Sequence, residues 1–334
     1  MPTLSRRSLI LYGLGGLALA AGRHYIFEAT NQTPLAGAAQ PSLKASRNIS
    51  ALETSETAGN ALFQFVALGD VGTGDRDQYA VARAMSQQWQ TSPFSTALLT
   101  GDNIYPNGEI KKIQDVFEKP YADLLSKGTR FYAALGNHDY RTRQGEDEIA
   151  YPGYNMSHRY YSFTQASVQF FALDTNQAHT NGEPNQTEAQ TEAQIDEATG
   201  WAAQLSWLKQ ALKDSTAPWK VVFGHHPVYS SGHHGSHAKL QKDLPPLFQE
   251  YGVQLYLNGH DHNYERTEPI NGTTYITTGN GAMLRSVDQS PWTAYSTAQL
   301  GFTAFKVYRH HMTIQAINKQ LRLLDEAQIG LQTT

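Results

Sequence analysis

Five short apolar runs punctuate the chain, at 63–68, 97–99, 131–135, 221–223 and 253–257, and each gives way within two residues to a glycine. Runs this short, rich in Val, Phe and Leu and bounded by Gly, predict buried strands that end in loops. Between them lie stretches of helical period. Val81, Met85 and Trp89 recur four apart and predict an amphipathic helix over 77–89. Trp201, Leu205, Leu208 and Leu212 predict another that stops before Pro218. The segment 110–125 reads as a helix broken at Pro120. Strands are also expected as a pair at 160–163 and 168–173, and singly at 274–278, 302–308 and 312–317. Strands alternating with helices predict a layered α/β domain over 61–320, with 321–334 left as a tail.

Three segments stand apart. Residues 23–60 are rich in Ala, Ser, Thr, Gln and Asn without periodicity, the composition of a disordered linker. Residues 179–200 hold the direct repeat Thr187-Glu-Ala-Gln-Thr-Glu-Ala-Gln194 and five acids, which reads as a solvated insert. Residues 1–22 carry Ser5-Arg6-Arg7 ahead of a short, weakly apolar stretch, the pattern of a twin-arginine export signal. The stretch is too short to span a bilayer comfortably, and Ala18-Leu19-Ala20 or Ala36-Gly37-Ala38 would serve for cleavage. A periplasmic or extracellular protein is expected, touching a membrane only if the leader is retained.

Composition narrows the chemistry. With 334 residues, 40% hydrophobic and 17% charged, the chain can bury a large core. A net charge of -4 and no basic stripe argue against nucleic acid as a partner. The absence of cysteine excludes disulfides, thiolate zinc sites, iron–sulfur clusters and Cys nucleophiles. Any metal must then be held by nitrogen and oxygen. Gly72-Thr73-Gly74 fails as a nucleotide loop, since Asp77 takes the third glycine's place and no Walker lysine follows.

The glycine loops carry the candidate ligands. In order they are Gly69-Asp70, Gly101-Asp102-Asn103-Ile104-Tyr105, Gly136-Asn137-His138-Asp139, Gly224-His225-His226-Pro227 and Gly259-His260-Asp261-His262. Strand ends that gather Asp, Asn, Tyr and His onto one sheet edge build a metal site. Two cations about 3.5–4 Å apart are a recurrent device for phosphate ester hydrolysis. Such a pair needs a bridging carboxylate and two or three further ligands each. Asp70, Asp102, Tyr105, Asn137, His225, His260 and His262 suffice, and a histidine outside the ligand set can protonate the leaving alkoxide. His226 reads as a packed neighbour of His225, because successive strand residues point opposite ways. His233, His237, Arg141 and Arg143 read as loop residues.

These ordered motifs resemble the calcineurin-like metallophosphoesterases, and within them the purple acid phosphatases of the small, tartrate-resistant type. Gly72 stands where most of the superfamily carries the histidine of Asp-x-His, and Tyr105 supplies a ligand in its place. The likeness extends to Gln204-Leu-Ser-Trp-Leu-Lys209 and covers 63–317. It implies a four-layer α/β/β/α sandwich of two mixed sheets flanked by helices. It also implies Fe(III) on Asp70, Tyr105 and His262, a second divalent metal (Fe, Zn or Mn) on Asn137, His225 and His260, and Asp102 between them. A metal-bound hydroxide would hydrolyse phosphate monoesters at acidic pH. His138 and His234 would face the substrate, His138 protonating the leaving group, while Asp139 and Asp261 would orient imidazoles. The resemblance makes 179–200 a repressive loop, and the expected partners are small phosphorylated substrates or phosphoproteins acted on by a monomer. Two alternatives stay open: a phosphodiesterase for cyclic nucleotides or phospholipid head groups, and a non-catalytic metal- or phosphate-binding surface protein.

Overall fold

A computed structural model describes residues 61–178 and 200–331. The expected leader, the linker and nearly all of the acidic insert lie outside the described residues. Within them the chain runs β1 (Phe63–Leu68), α1 (Arg76–Thr91), β2 (Thr96–Leu99), α2 (Ala122–Ser126), β3 (Arg130–Ala133) and α3 (Glu146–Ile149). A hairpin, β4 (Tyr161–Gln165) and β5 (Val168–Ala172), leads to α4 (Trp201–Asp214), β6 (Trp219–Phe223) and α5 (Ala238–Tyr251). Strands complete the chain: β7 (Leu255–Asn258), β8 (Tyr264–Thr267), β9 (Thr274–Thr278), β10 (Thr293–Thr297), β11 (Gly301–Val307), β12 (His311–Asn318) and β13 (Leu323–Gly330).

The strands form two mixed sheets, ordered β13-β12-β11-β1-β2-β3 and β10-β8-β9-β7-β6-β5-β4. In one half of the first, β1, β2 and the edge strand β3 run parallel; in the second, β5, β6, β7 and β9 do. Strand alternation divides the burial between two cores. Phe170, Val221, Phe223 and Leu257 belong to the core that the two sheets share. There the Phe65 ring meets Phe170 edge-on at 5.1 Å, a favoured aromatic geometry. Their neighbours Phe171, Val222 and Tyr256 turn outward to meet Leu208 and Leu212 of α4 and Leu240, Leu244 and Phe248 of α5. On the first sheet α1 packs against β11, its start fixed by Asp75, whose carboxylate accepts from the backbone N–H of Asp77 and Gln78 at 3.0 Å each. Helices flank two mixed sheets, as the resemblance implies.

Three segments differ from the sequence reading. The helix expected over 110–125 does break at Pro120, but before the break it is a 3-10 turn (Ile110–Lys112) and a wide π turn (Gln114–Glu118) in place of an α-helix, and α2 follows it. Pro120 lacks an N–H and obstructs the preceding turn, so no helix runs across it. Helix α5 went unread because Pro245 and Pro246 sit inside it, although Leu240, Leu244 and Phe248 keep helical spacing. His237, taken for a loop residue, caps that helix by accepting from the Leu240 N–H at 3.3 Å. The segment 321–334, taken for a tail, carries β13, which pairs antiparallel with β12. Its Asp325 accepts from Arg266 Nε at 2.7 Å, Arg266 Nη2 at 3.0 Å and the Tyr264 hydroxyl at 2.9 Å, all from β8. The last strand therefore ties one sheet to the other.

Candidate metal centre

The parallel strands deliver their loops to one edge, the end where open α/β sheets bind ligands. Asp70 follows β1, Asp102 and Tyr105 follow β2, Asn137 and His138 follow β3, His225 follows β6, and His260 and His262 follow β7. Three of these residues sit in left-handed backbone: Asp70 (φ 58°), Asp102 (φ 54°) and His260 (φ 69°). That conformation costs a non-glycine residue roughly 1–3 kcal/mol and persists where the surroundings enforce it, typically at functional sites. The glycines beside them serve chiefly by lacking a side chain. A Cβ on Gly136 would lie 2.1 Å from Asp102 Oδ1, and one on Gly259 would lie 2.4 Å from Asp70 Oδ2.

The seven expected ligands converge in two groups that meet at Asp102. In the first, the Tyr105 hydroxyl is 2.7 Å from Asp102 Oδ2, 3.1 Å from Asp70 Oδ1 and 3.4 Å from His262 Nε2. His262 Nε2 is 3.3 Å from Asp70 Oδ1. In the second, Asn137 Oδ1 is 3.0 Å from His225 Nε2 and 3.1 Å from His260 Nδ1, and those two nitrogens are 3.2 Å apart. Asp102 Oδ1 reaches this group at 3.5 Å from His225 Nε2. One carboxylate thus turns one oxygen to each group.

The donor set fits a pair of cations. His225 Nδ1 lies 3.0 Å from the Thr100 carbonyl, so that nitrogen carries the ring hydrogen and Nε2 presents its lone pair inward. It meets the amide oxygen of Asn137, also an acceptor. Lone pairs held together like this need positive charge between them. The electrostatics agree: burial disfavours an imidazolium at His225, yet the charges of Asp102 and Asp70 outweigh it and raise the ring above its ordinary value. Burial with the charges of Asp102 and Asp70 holds the Tyr105 phenol far above its usual range. The first group, two carboxylates with a phenol and one imidazole, suits a hard, highly charged ion; the second, with two imidazoles and an amide, suits a divalent one.

Known proteins resemble this chain in sequence and in fold. The calcineurin-like phosphoesterase family model matches residues 63–264. Tartrate-resistant acid phosphatase type 5 of Mus musculus is 32% identical over 251 residues, covering 69% of this chain and 76% of that protein. The chain belongs to the calcineurin-like phosphoesterases, in their purple acid phosphatase branch. Solved structures share the fold. GAP50, the anchor in the inner membrane complex of Plasmodium, superposes with a TM-score of 0.69 at 20% identity, covering 82% of this chain and 90% of that one. The purple acid phosphatase PPD1 from yellow lupin (Lupinus luteus) gives 0.63 at 18% identity, over 81% of this chain and 54% of that one.

Around the candidate ligands of this phosphoesterase, several further side chains line the site. His226 is buried beside the second group, with its ring 4.6 Å from that of His260 and Nδ1 2.8 Å from the Thr175 hydroxyl. One of its nitrogens lies within 4.8 Å of ligand atoms of His225 and His260. The same Thr175 hydroxyl accepts from the His225 and His226 N–H groups at 3.2 and 3.0 Å. His138 lies over the first group, Nε2 4.0 Å from Asp102 Oδ2 and Nδ1 2.7 Å from the Pro106 carbonyl. Arg141 reaches that same carbonyl, whereas Arg143 pairs with Asp147. His234 stacks on His260 with 4.1 Å between ring centroids, and its Nε2 meets the Arg285 guanidinium. Burial, with Arg285 adding to it against Asp261, keeps the His234 ring below its ordinary value. Arg285 was missed. It lies in the loop after β9, where Gly279 repeats the strand-then-glycine pattern, but no Asp or His stands within two residues of that glycine to draw attention.

Asp139 and Asp261 orient loops rather than imidazoles. Asp261 accepts from the His234 backbone N–H at 2.8 Å and the Ser230 hydroxyl at 2.5 Å. Asp139 accepts from the backbone N–H of Gly136, Asn103 and Ile104 at 2.8–3.1 Å, stitching the Asp102 loop to the Asn137 loop. Beside it, Glu148 accepts from the Asn103 amide at 3.2 Å. Burial and the Asp102 charge push Asp139 up to about 7 against those backbone donors. Burial and the Asp139 charge push Glu148 well above the carboxylate range. Both groups bind protons more tightly folded than unfolded. Their linkage therefore favours the fold at low pH and withdraws that support as pH rises from about 4 through 7. In chelator-treated protein, Glu148→Gln should narrow the difference in urea midpoint between pH 5 and pH 8. An unchanged difference would mean that Glu148 takes no part in it.

Proposed function

We propose that the chain is an exported acid phosphatase that hydrolyses phosphate monoesters of small molecules and phosphoproteins at a dinuclear Fe(III)–M(II) centre. The observation that carries this reading is the division of Asp102 between an anionic, phenol-bearing group and an imidazole-rich one. Asp70, Tyr105, His262 and Asp102 would hold the ferric ion, and Asn137, His225, His260 and Asp102 a divalent Fe, Zn or Mn. Bound there, the pair would polarise a phosphoryl oxygen and acidify water at the site. The phenol proton that Tyr105 shares with two carboxylates must leave for it to act as a ligand, and a trivalent ion gives the strongest drive for that.

The chain's own residues supply the proton. His138 turns Nδ1 to the Pro106 carbonyl, which fixes the ring and leaves Nε2 facing the site. Its imidazolium can hand the Nε2 proton to the leaving oxygen, as a general acid. Fold alone does not carry this reading, since the same architecture serves a protein described as an anchor. Export is inferred from Ser5-Arg6-Arg7, and no helix among the described residues is long and apolar enough to cross a membrane.

Asp102→Ala should lose both bound metals and monoester hydrolysis, measured by metal analysis and turnover of 4-nitrophenyl phosphate. In the same series, oxidised wild type should show a broad visible band that Tyr105→Phe lacks. Full metal loading without turnover would favour the non-catalytic reading, and a colourless, loaded enzyme faster on diesters would favour the phosphodiesterase. His138→Ala should slow esters with poor leaving groups by about 10²–10⁴ and activated aryl esters far less; an equal loss on both would remove it from the acid role. Replacing Arg6 and Arg7 with lysine should retain the protein in the cytoplasm of a bacterial host on fractionation, and continued export would refute the twin-arginine route.

A further inference from the structure

The loop after β9 leaves the same sheet edge as the ligand loops and carries Arg285. The Arg285 backbone N–H donates to the His262 carbonyl at 2.8 Å, which pins this loop to the chain of a proposed ligand. Its guanidinium Nη1 faces His234 Nε2, and the His234 ring in turn lies on His260. The His234 backbone is held by Asp261 Oδ1. Arg143, Arg159 and Arg266 each pair with a carboxylate. Among the described residues Arg285 has no such partner, only an imidazole nitrogen. An arginine placed this way keeps its full charge and most of its five N–H donors for something else.

Permanent positive charge beside a centre built for cations is unfavourable unless an anion comes between them. We propose that Arg285 binds a non-bridging phosphoryl oxygen of the substrate, with His234 as the acceptor that aims its guanidinium. Its charge then favours dianionic monoesters over monoanionic diesters. The inference rests on the phosphatase reading and deepens it by giving the site's preference for monoesters a residue. Bidentate pairing of a planar guanidinium with phosphoryl oxygens is the geometry arginine serves best.

The test uses metal-loaded wild type, Arg285→Gln and Arg285→Lys at pH 7, where a monoester carries close to two charges. Inorganic phosphate binding is measured by calorimetry, and kcat and KM are measured on 4-nitrophenyl phosphate and bis(4-nitrophenyl) phosphate. Arg285→Gln should weaken phosphate binding and raise the monoester KM by roughly ten- to a hundredfold. The diester KM should move far less, kcat should change little, and Arg285→Lys should recover part of the loss. Unchanged phosphate affinity, or an equal loss on both esters, would overturn the proposal. So would a fall in metal content, which would make Arg285 a support for His234 and His260. Should loaded wild type hydrolyse neither ester, the phosphatase reading fails, and the phosphate titration still decides whether Arg285 binds the anion.

Discussion

Lone pairs crowded against lone pairs in a buried hollow are the condition that the rest of the molecule is arranged to hold. Asp70 and Asp102 are almost fully enclosed, as is His225; the two carboxylates share one phenol proton, while His225 Nε2 faces the Asn137 amide oxygen at 3.0 Å. Left alone, such groups would turn toward water. They are kept in place by backbone bent into the left-handed region at Asp70, Asp102 and His260, by glycines that leave room for carboxylates, and by hydrogen bonds from the loops to Asp139 and Thr175. The two-sheet core supplies the stability that this local arrangement draws on.

Asymmetry follows from the same crowding. Asp102 is the one carboxylate facing both groups, and burial would raise its pKa. The charges of His225 and His138, with the Tyr105 hydroxyl, reverse this and keep it ionised. Around its Oδ2 the partners are a second carboxylate and a phenol; around its Oδ1 they are imidazoles and an amide. The two halves of the site therefore differ in charge, and charge is what separates a trivalent from a divalent ion when all ligands are hard or intermediate donors. His138 and Arg285 approach this centre from different loops, one able to gain and lose a proton and the other permanently charged.

Much of this was legible in the residues because short strands with glycine ends are a local signal. The run 63–68 and the glycine loops after β1, β2, β3, β6 and β7 carry their own punctuation, and the residues expected as ligands meet at one sheet edge. What escaped was set by tertiary context. α5 runs through Pro245 and Pro246, which local propensity forbids and burial of Leu240, Leu244 and Phe248 sustains. β13 opens with two leucines followed by two acids, which hides any alternation, so its pairing with β12 and the Asp325 contacts define it. His226 violates simple strand alternation because the chain has already left β6 at Phe223. Asp139 and Asp261 were assigned to imidazoles, but backbone N–H groups lie nearer and claim them first.

The ligand loops are shared between the sheets: Asp70, Asp102, Tyr105 and Asn137 come from the first, His225, His260 and His262 from the second. Contacts between them already cross the seam, as when the His260 N–H donates to Asp70 Oδ2 at 2.9 Å. The centre is therefore a gauge of sheet spacing. Ions of fixed bond length would clamp the sheets at one end while the Arg266–Asp325 pair clamps them at the far edge, leaving the aromatic core between two fixed points. A change of one side chain at Phe65 or Phe170 would then be felt at the ligands as a change in bite, though neither ring touches them.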